Sequence, residues 1–138
     1  MIRVIMGLKG SGKTKKLIDA IHETLEHASG DVVCIEYGKH LTYDVNYKVR
    51  LVDSKEYAIS NPDLLKGFLS GLHAGNFDIT HVFIDNLYKT IGQDKAAAEE
   101  FVTWCAKFAA DNNMEITMTI SEDPAAASEA MTQYIEVQ

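Results

Sequence analysis

The chain reads as an α/β protein, with a mostly parallel sheet of about five strands covered by helices on both faces. Three observations predict this. Short, largely apolar runs such as Ile2–Met6, Asp31–Glu36, Ile79–Ile84 and Glu115–Ile120 have the length and composition of strands. Longer stretches between them carry apolar residues at the spacing of a helix face. Cap and stop signals, among them Ser29-Gly30, Asn61-Pro62 and Asp94, mark where one kind of stretch gives way to the other.

Ile2 to Met6 is apolar, β-rich and followed by glycine, as a buried strand should be. Lys13 to Ala28 places Leu17, Ile21 and Leu25 on one face of a helix that Ser29-Gly30 ends. Asp31 to Glu36, with Val32, Val33, Cys34 and Ile35, is a second buried strand. Tyr37 to Tyr47 is a polar loop, and Lys48 to Val52 alternates like a short edge strand. Asn61 caps a helix with Pro62 in its first turn and Leu65, Phe68, Leu69 and Leu72 on its buried face. Ile79 to Ile84 is a third core strand, closed by Asp85-Asn86. Asp94 caps a long helix whose stripe is Ala97, Phe101, Cys105 and Phe108. Glu115 to Ile120 is a fourth core strand, Pro124 to Met131 a short helix, and Tyr134 to Val137 a last strand.

At 138 residues, without repeat or linker, the chain is expected to form one domain over residues 1–138. Its 46% apolar and 24% charged residues are ordinary for a globular protein. A net charge of -7 argues against nucleic acid and anionic membrane as partners, because phosphates repel an acidic surface. Cys34 and Cys105 form no CxxC pair, so no structural zinc is expected and both read as core residues. The five histidines, His22, His27, His40, His73 and His81, lack metal-ligand spacing. No apolar run spans a membrane and no leader pattern opens the chain, which predicts a cytoplasmic protein.

In parallel α/β folds ligands bind beyond the carboxyl ends of the strands. That rule selects Gly7 to Thr14, Glu36 to Tyr47, Asp85 to Lys89 and Ser121 to Asp123. Gly7-Leu8-Lys9-Gly10-Ser11-Gly12-Lys13-Thr14 fits the pattern Gly-x4-Gly-Lys-Ser/Thr between a strand and a helix. Glycines let successive amide N–H groups turn inward into an anion cradle, and the helix start adds its positive dipole end. The expected nucleotide-binding residues are Gly7, Leu8, Lys9, Gly10, Ser11, Gly12, Lys13, Thr14 and Lys15, with ATP and Mg2+ as cofactors. Lys13 would neutralise the β- and γ-phosphates, while Thr14 and Asp85 would hold the metal. For a catalytic base Glu36 is the first candidate and Glu122 another; Asn86 is an amide and cannot take a proton. The tyrosines of the 37–47 loop could stack on a base or anchor a protein partner.

With these residues in place the chain resembles the P-loop NTPase superfamily, in particular its RecA-like and thymidine-kinase-like branches. The phrases Gly10-Ser11-Gly12-Lys13-Thr14-Lys15-Lys16-Leu17-Ile18-Asp19, Val33-Cys34-Ile35-Glu36 and Leu41-Thr42-Tyr43-Asp44 are similar, more narrowly, to small stand-alone ATP-binding proteins of anaerobic Gram-positive bacteria, sometimes labelled twitching-motility PilT-like. The resemblance implies a three-layer P-loop NTPase fold with strand order 5-1-4-3-2, counting strands from the amino terminus. It puts the strand from Glu115 between the phosphate-loop strand and the Asp85 strand, and Thr119 or Ser121 toward the γ-phosphate as a polar sensor. RecA-like ATPases carry their glutamate where Glu36 stands. Many ATP-hydrolysing members carry another after the metal-site aspartate, where this chain has Asn86. The zinc lid of a thymidine kinase is missing, and only Arg3 and Arg50 could serve a lid or a neighbour. The functional expectation is an ATP-binding protein with slow ATPase activity, acting as a switch or accessory factor. A small-molecule or nucleoside kinase and a binding module without catalysis are the alternatives.

Overall fold

The computed structural model describes residues 1–137. Six strands form one sheet: β1 (Ile2–Gly7), β2 (Asp31–Glu36), β3 (Arg50–Asp53), β4 (Ile79–Ile84), β5 (Glu115–Ser121) and β6 (Ile135–Val137). Their order is β3-β2-β4-β5-β1-β6, and every pairing is parallel. Read from the β6 edge, this is the expected order with one strand added. β3 is that strand, so the sheet has six strands rather than five. It starts at Arg50 instead of Lys48, because the chain before it is still turning: Val49 donates its N–H to the Asn46 carbonyl.

The helices are α1 (Lys13–Leu25), α2 (Pro62–Gly75), α3 (Leu87–Ile91), α4 (Lys95–Asp111) and α5 (Glu129–Thr132). Asn61 caps α2 by accepting from the Leu64 N–H, and Asp94 caps α4 by accepting from the Ala97 N–H. α1 stops at Leu25, short of the expected Ala28, because Glu26 and His27 bond three residues back, to Glu23 and Thr24, and tighten the last turn. The stretch from Pro124 is not one helix. It splits into a 3₁₀ turn at Pro124–Ala126 and the single turn of α5. α3 and a 3₁₀ turn at Ser54–Tyr57 carried no sequence signal of their own.

Strand alternation sends side chains to two cores, which is what makes the fold three-layered. Val33 and Ile35 of β2 join Met6, Ile84, Met118 and Ile120 against Leu65, Leu69, Phe101 and Cys105 of α2 and α4. Val32 and Cys34 face the other way, with Ile5 and Phe83, against Leu17 and Ile21 of α1. The loop after β2 belongs to this second core. Leu41, Val45 and Val49 are buried in it, whereas Tyr43 and Tyr47 are 99% and 89% exposed. Aliphatic residues, not tyrosines, therefore anchor the loop. Gly30 is needed where the chain enters β2: a Cβ there would lie 2.3 Å from the Asp78 carbonyl oxygen.

Candidate functional site

The site is assembled where β1, β4 and β5 end. β1 delivers the chain at Gly7, and the turn that follows closes on itself through Ser11 N–H to the Leu8 carbonyl, 3.0 Å. Gly10 and Gly12 have φ of 85° and 89°, a region that penalises side chains, and a Cβ on either would meet no atom within 4 Å. The loop thus combines glycine-only backbone with open space above it. Gly12 is also the N-cap of α1, which has no side-chain cap. The free N–H groups of its first turn are left without a side-chain acceptor.

A cavity of about 360 Å3 lies over this loop. Lys9, Gly10, Gly12, Lys13, Thr14 and Lys15 form one wall, and Asn86, Thr119 and Ser121 form the other. Three of the four strand-end segments selected from the sequence therefore meet. A larger cavity, about 820 Å3, opens at the opposite end of the sheet, between the starts of β2, β3 and β4 and the end of α2. Its walls lack a glycine turn with a lysine at a helix start, so the smaller cavity is the better site.

Lys13 is buried, and its ammonium donates to the Leu8 carbonyl at 3.0 Å. Burial lowers its pKa, with the Asp85 carboxylate pulling the other way. Thr14 donates its hydroxyl to Asp85 Oδ1 at 3.3 Å, which brings the two expected metal-site residues together across the cavity. A hydroxyl beside a carboxylate oxygen is the oxygen donor chemistry a magnesium ion uses, and three lysines suit phosphates, so the residues present fit both groups.

The base candidates are all engaged. Glu36 is 2% exposed and neighbours Asp85, whose N–H bonds the Ile35 carbonyl at 2.9 Å. Its two oxygens accept from the His40 and Leu41 N–H groups at 2.9 and 3.3 Å. Burial raises the Glu36 pKa, the two amide bonds and the nearby His40 work against that, and the Asp85 charge adds to it. Glu122 accepts from the Tyr88 hydroxyl at 3.0 Å, and burial together with this bond pushes the tyrosine up to about 12.

Thr119 lies on the cavity wall, with its hydroxyl committed to protein partners. Its hydroxyl accepts the Asn86 N–H at 2.7 Å and donates to Asp85 Oδ1 at 3.0 Å, which uses its one proton. Ser121 stays on the cavity wall. Sequence spacing could not reveal the Thr119–Asp85 link, because it depends on β4 and β5 being neighbours. The two cysteines are buried, and their surroundings push both thiols up. Among the described residues no helix is long and apolar enough to cross a membrane.

No protein-family model matches the chain, and no curated protein matches it. Among solved structures it is similar to domain III of the replication initiation protein DnaA from Thermotoga maritima, at 14% identity and a TM-score of 0.55. That match covers 99% of this chain and 53% of the other, so the chain spans about half the length of this relative. At this identity the likeness speaks for the fold, the three-layer α/β arrangement described above.

Proposed function

We propose that this chain is a P-loop nucleotide-binding domain that takes ATP with magnesium at Gly7–Lys15 and hydrolyses it slowly, as a switch or accessory factor. One observation carries the reading: a single cavity gathers glycines at positive φ with Lys9, Lys13, Thr14 and Lys15, and faces them with Asn86 and the β5 end. The uncapped start of α1 and the loop amides would bind phosphate oxygens. Lys13 would exchange the Leu8 carbonyl for the β- and γ-phosphates. Thr14 and Asp85 would hold the metal, which when bound offsets the phosphates' charge. The similarity to a DnaA domain supports the architecture beneath this reading and leaves the chemistry to the site.

A second reading, a binding module without turnover, is favoured by the engagement of both candidate carboxylates. Glu36 is occupied by two backbone amides and Glu122 by a tyrosine. For the kinase alternative, one of the two arginines is already committed, Arg3 to Glu136.

Thermal unfolding with Mg-ATP, Mg-ADP and Mg-GTP tests the binding claim. A ligand at 100 times its Kd stabilises by about 2.7 kcal/mol, so millimolar nucleotide should raise the melting temperature clearly. Lys13→Ala should abolish most of that rise, because it removes the point charge that meets the phosphates. No shift in the parent would overturn the proposal. Phosphate release above background, lost in Lys13→Ala, would favour the slow ATPase over the binding module.

A further inference from the structure

Thr119 is 1% exposed, and a buried hydroxyl must find partners or destabilise the fold. It has two: it accepts from the Asn86 N–H at 2.7 Å and donates to Asp85 Oδ1 at 3.0 Å. The short bond from Asn86 fixes the hydroxyl oxygen, and a hydroxyl fixed as acceptor on one side has its proton directed to the other. Thr14 donates to the same Oδ1, but at 3.3 Å and from the exposed first turn of α1. Of the two donors, the one on the strand is therefore the shorter and the more buried. Its backbone is locked as well, since Thr119 pairs with Ile5 in the β1–β5 register.

We propose that Thr119 is a positioning residue for Asp85, setting the carboxylate's orientation toward a hydrated divalent cation rather than touching a phosphate. The inference rests on the reading of Gly7–Lys15 and Asp85 as a magnesium–nucleotide site. Its logic is the division of labour between two threonines. When the Thr14 hydroxyl serves the metal, Asp85 loses that donor. Thr119 is on β5, away from the start of α1, keeps its bond, and prevents the carboxylate from rotating away. A carboxylate pinned at Oδ1 keeps Oδ2 for the cation or one of its waters. Groups that orient a metal-holding residue typically contribute 10–100-fold to metal affinity.

The test measures ATP affinity by titration calorimetry in EDTA and across a magnesium series, for the parent, Thr119→Val and Thr119→Ser. Valine keeps the shape and removes the hydroxyl; serine restores the hydroxyl. The expected result is a magnesium midpoint raised at least roughly tenfold in Thr119→Val. Affinity in EDTA should stay at the parent's value, and Thr119→Ser should restore the midpoint. An unchanged magnesium midpoint in Thr119→Val overturns the proposal. So does an equal loss of affinity with and without magnesium, because that is the mark of direct phosphate contact. If Thr119→Val does not fold, Thr119→Ala is read in the same titration against the same outcomes. A parent protein that binds no ATP in either condition overturns the site reading itself, and the positioning role with it.

Discussion

Asn86 sits at φ 53° and ψ 72°, directly after Asp85, and begins α3 without a side-chain cap. This left-handed region costs most L-residues about 1–2 kcal/mol, while asparagine tolerates it through its short polar side chain. The backbone thus gives a reason for the amide that stands where many ATP-hydrolysing P-loop proteins carry a glutamate. Asn86→Glu should lower stability by about 1 kcal/mol, from the left-handed strain alone. It should not speed phosphate release, because the strained turn would aim the new carboxylate by the backbone rather than by the site. Asn86→Gly should melt with the parent or slightly above, since glycine fits the same angles. Melting curves of the three proteins check the ranking. A glutamate variant as stable as the parent would mean that the turn relaxes at no cost.

The loop from Tyr37 to Val49 is held at its base by Glu36 and along its length by Leu41, Val45 and Val49. Glutamine at position 36 could not serve both amides, because its NH2 group would oppose a backbone N–H. Glu36→Gln should therefore destabilise by about 1–3 kcal/mol and speed hydrogen exchange at the His40 and Leu41 amides. A variant that melts like the parent yet releases phosphate more slowly would instead mark Glu36 as the base. The glycine-lysine pattern at 7–14 is legible in the sequence because it is local: the glycines, Lys13 and Thr14 lie within eight consecutive residues. So are the capped helices α2 and α4, because Asn61 and Asp94 cap through residues three positions away. α3 was not legible, since five residues are too few to display a helical period. In the 37–49 loop the tyrosines are the more conspicuous residues in the sequence, yet Leu41, Val45 and Val49, which recur every fourth residue, are the buried ones. Contacts such as Thr119–Asp85 and Ser54–Thr90, a buried hydroxyl pair at 3.0 Å, join segments far apart in sequence and leave no local trace.

At the scale of the whole sheet, β1, which leads into the glycine turn at 7–14, is stitched near its start to the segments that enter β5 and β6. The Met1 ammonium donates to the Met114 carbonyl at 2.9 Å, ahead of β5, and Val4 of β1 donates to Tyr134 at 2.7 Å, ahead of β6. β6 is an edge strand of three residues and needs more than its ladder. Glu136 supplies it by pairing with Arg3 of β1, and with Lys16 of α1 at 3.5 Å. Burial alone would push the Glu136 carboxyl up, but the two cations outweigh it and leave it below the usual glutamate range. The sign of the linkage follows. A carboxyl depressed in the folded state stabilises it fully above the ordinary glutamate pKa, and that contribution is lost as pH falls through the folded value. The pair is partly exposed, so its contribution at neutral pH should be about 0–1 kcal/mol and should shrink with salt. Glu136→Gln should therefore melt slightly below the parent at neutral pH and low salt. The two curves should converge as the buffer is taken down through the acidic range, where the parent loses the same interaction. Hydrogen exchange at Ile135 should rise in the variant at neutral pH and in the parent only in acid. If the gap between parent and variant stays constant from neutral pH down into acid, the ion pairs do not hold β6. The ladder to β1 then does so alone, and the last strand's link to the start of α1 has no electrostatic part.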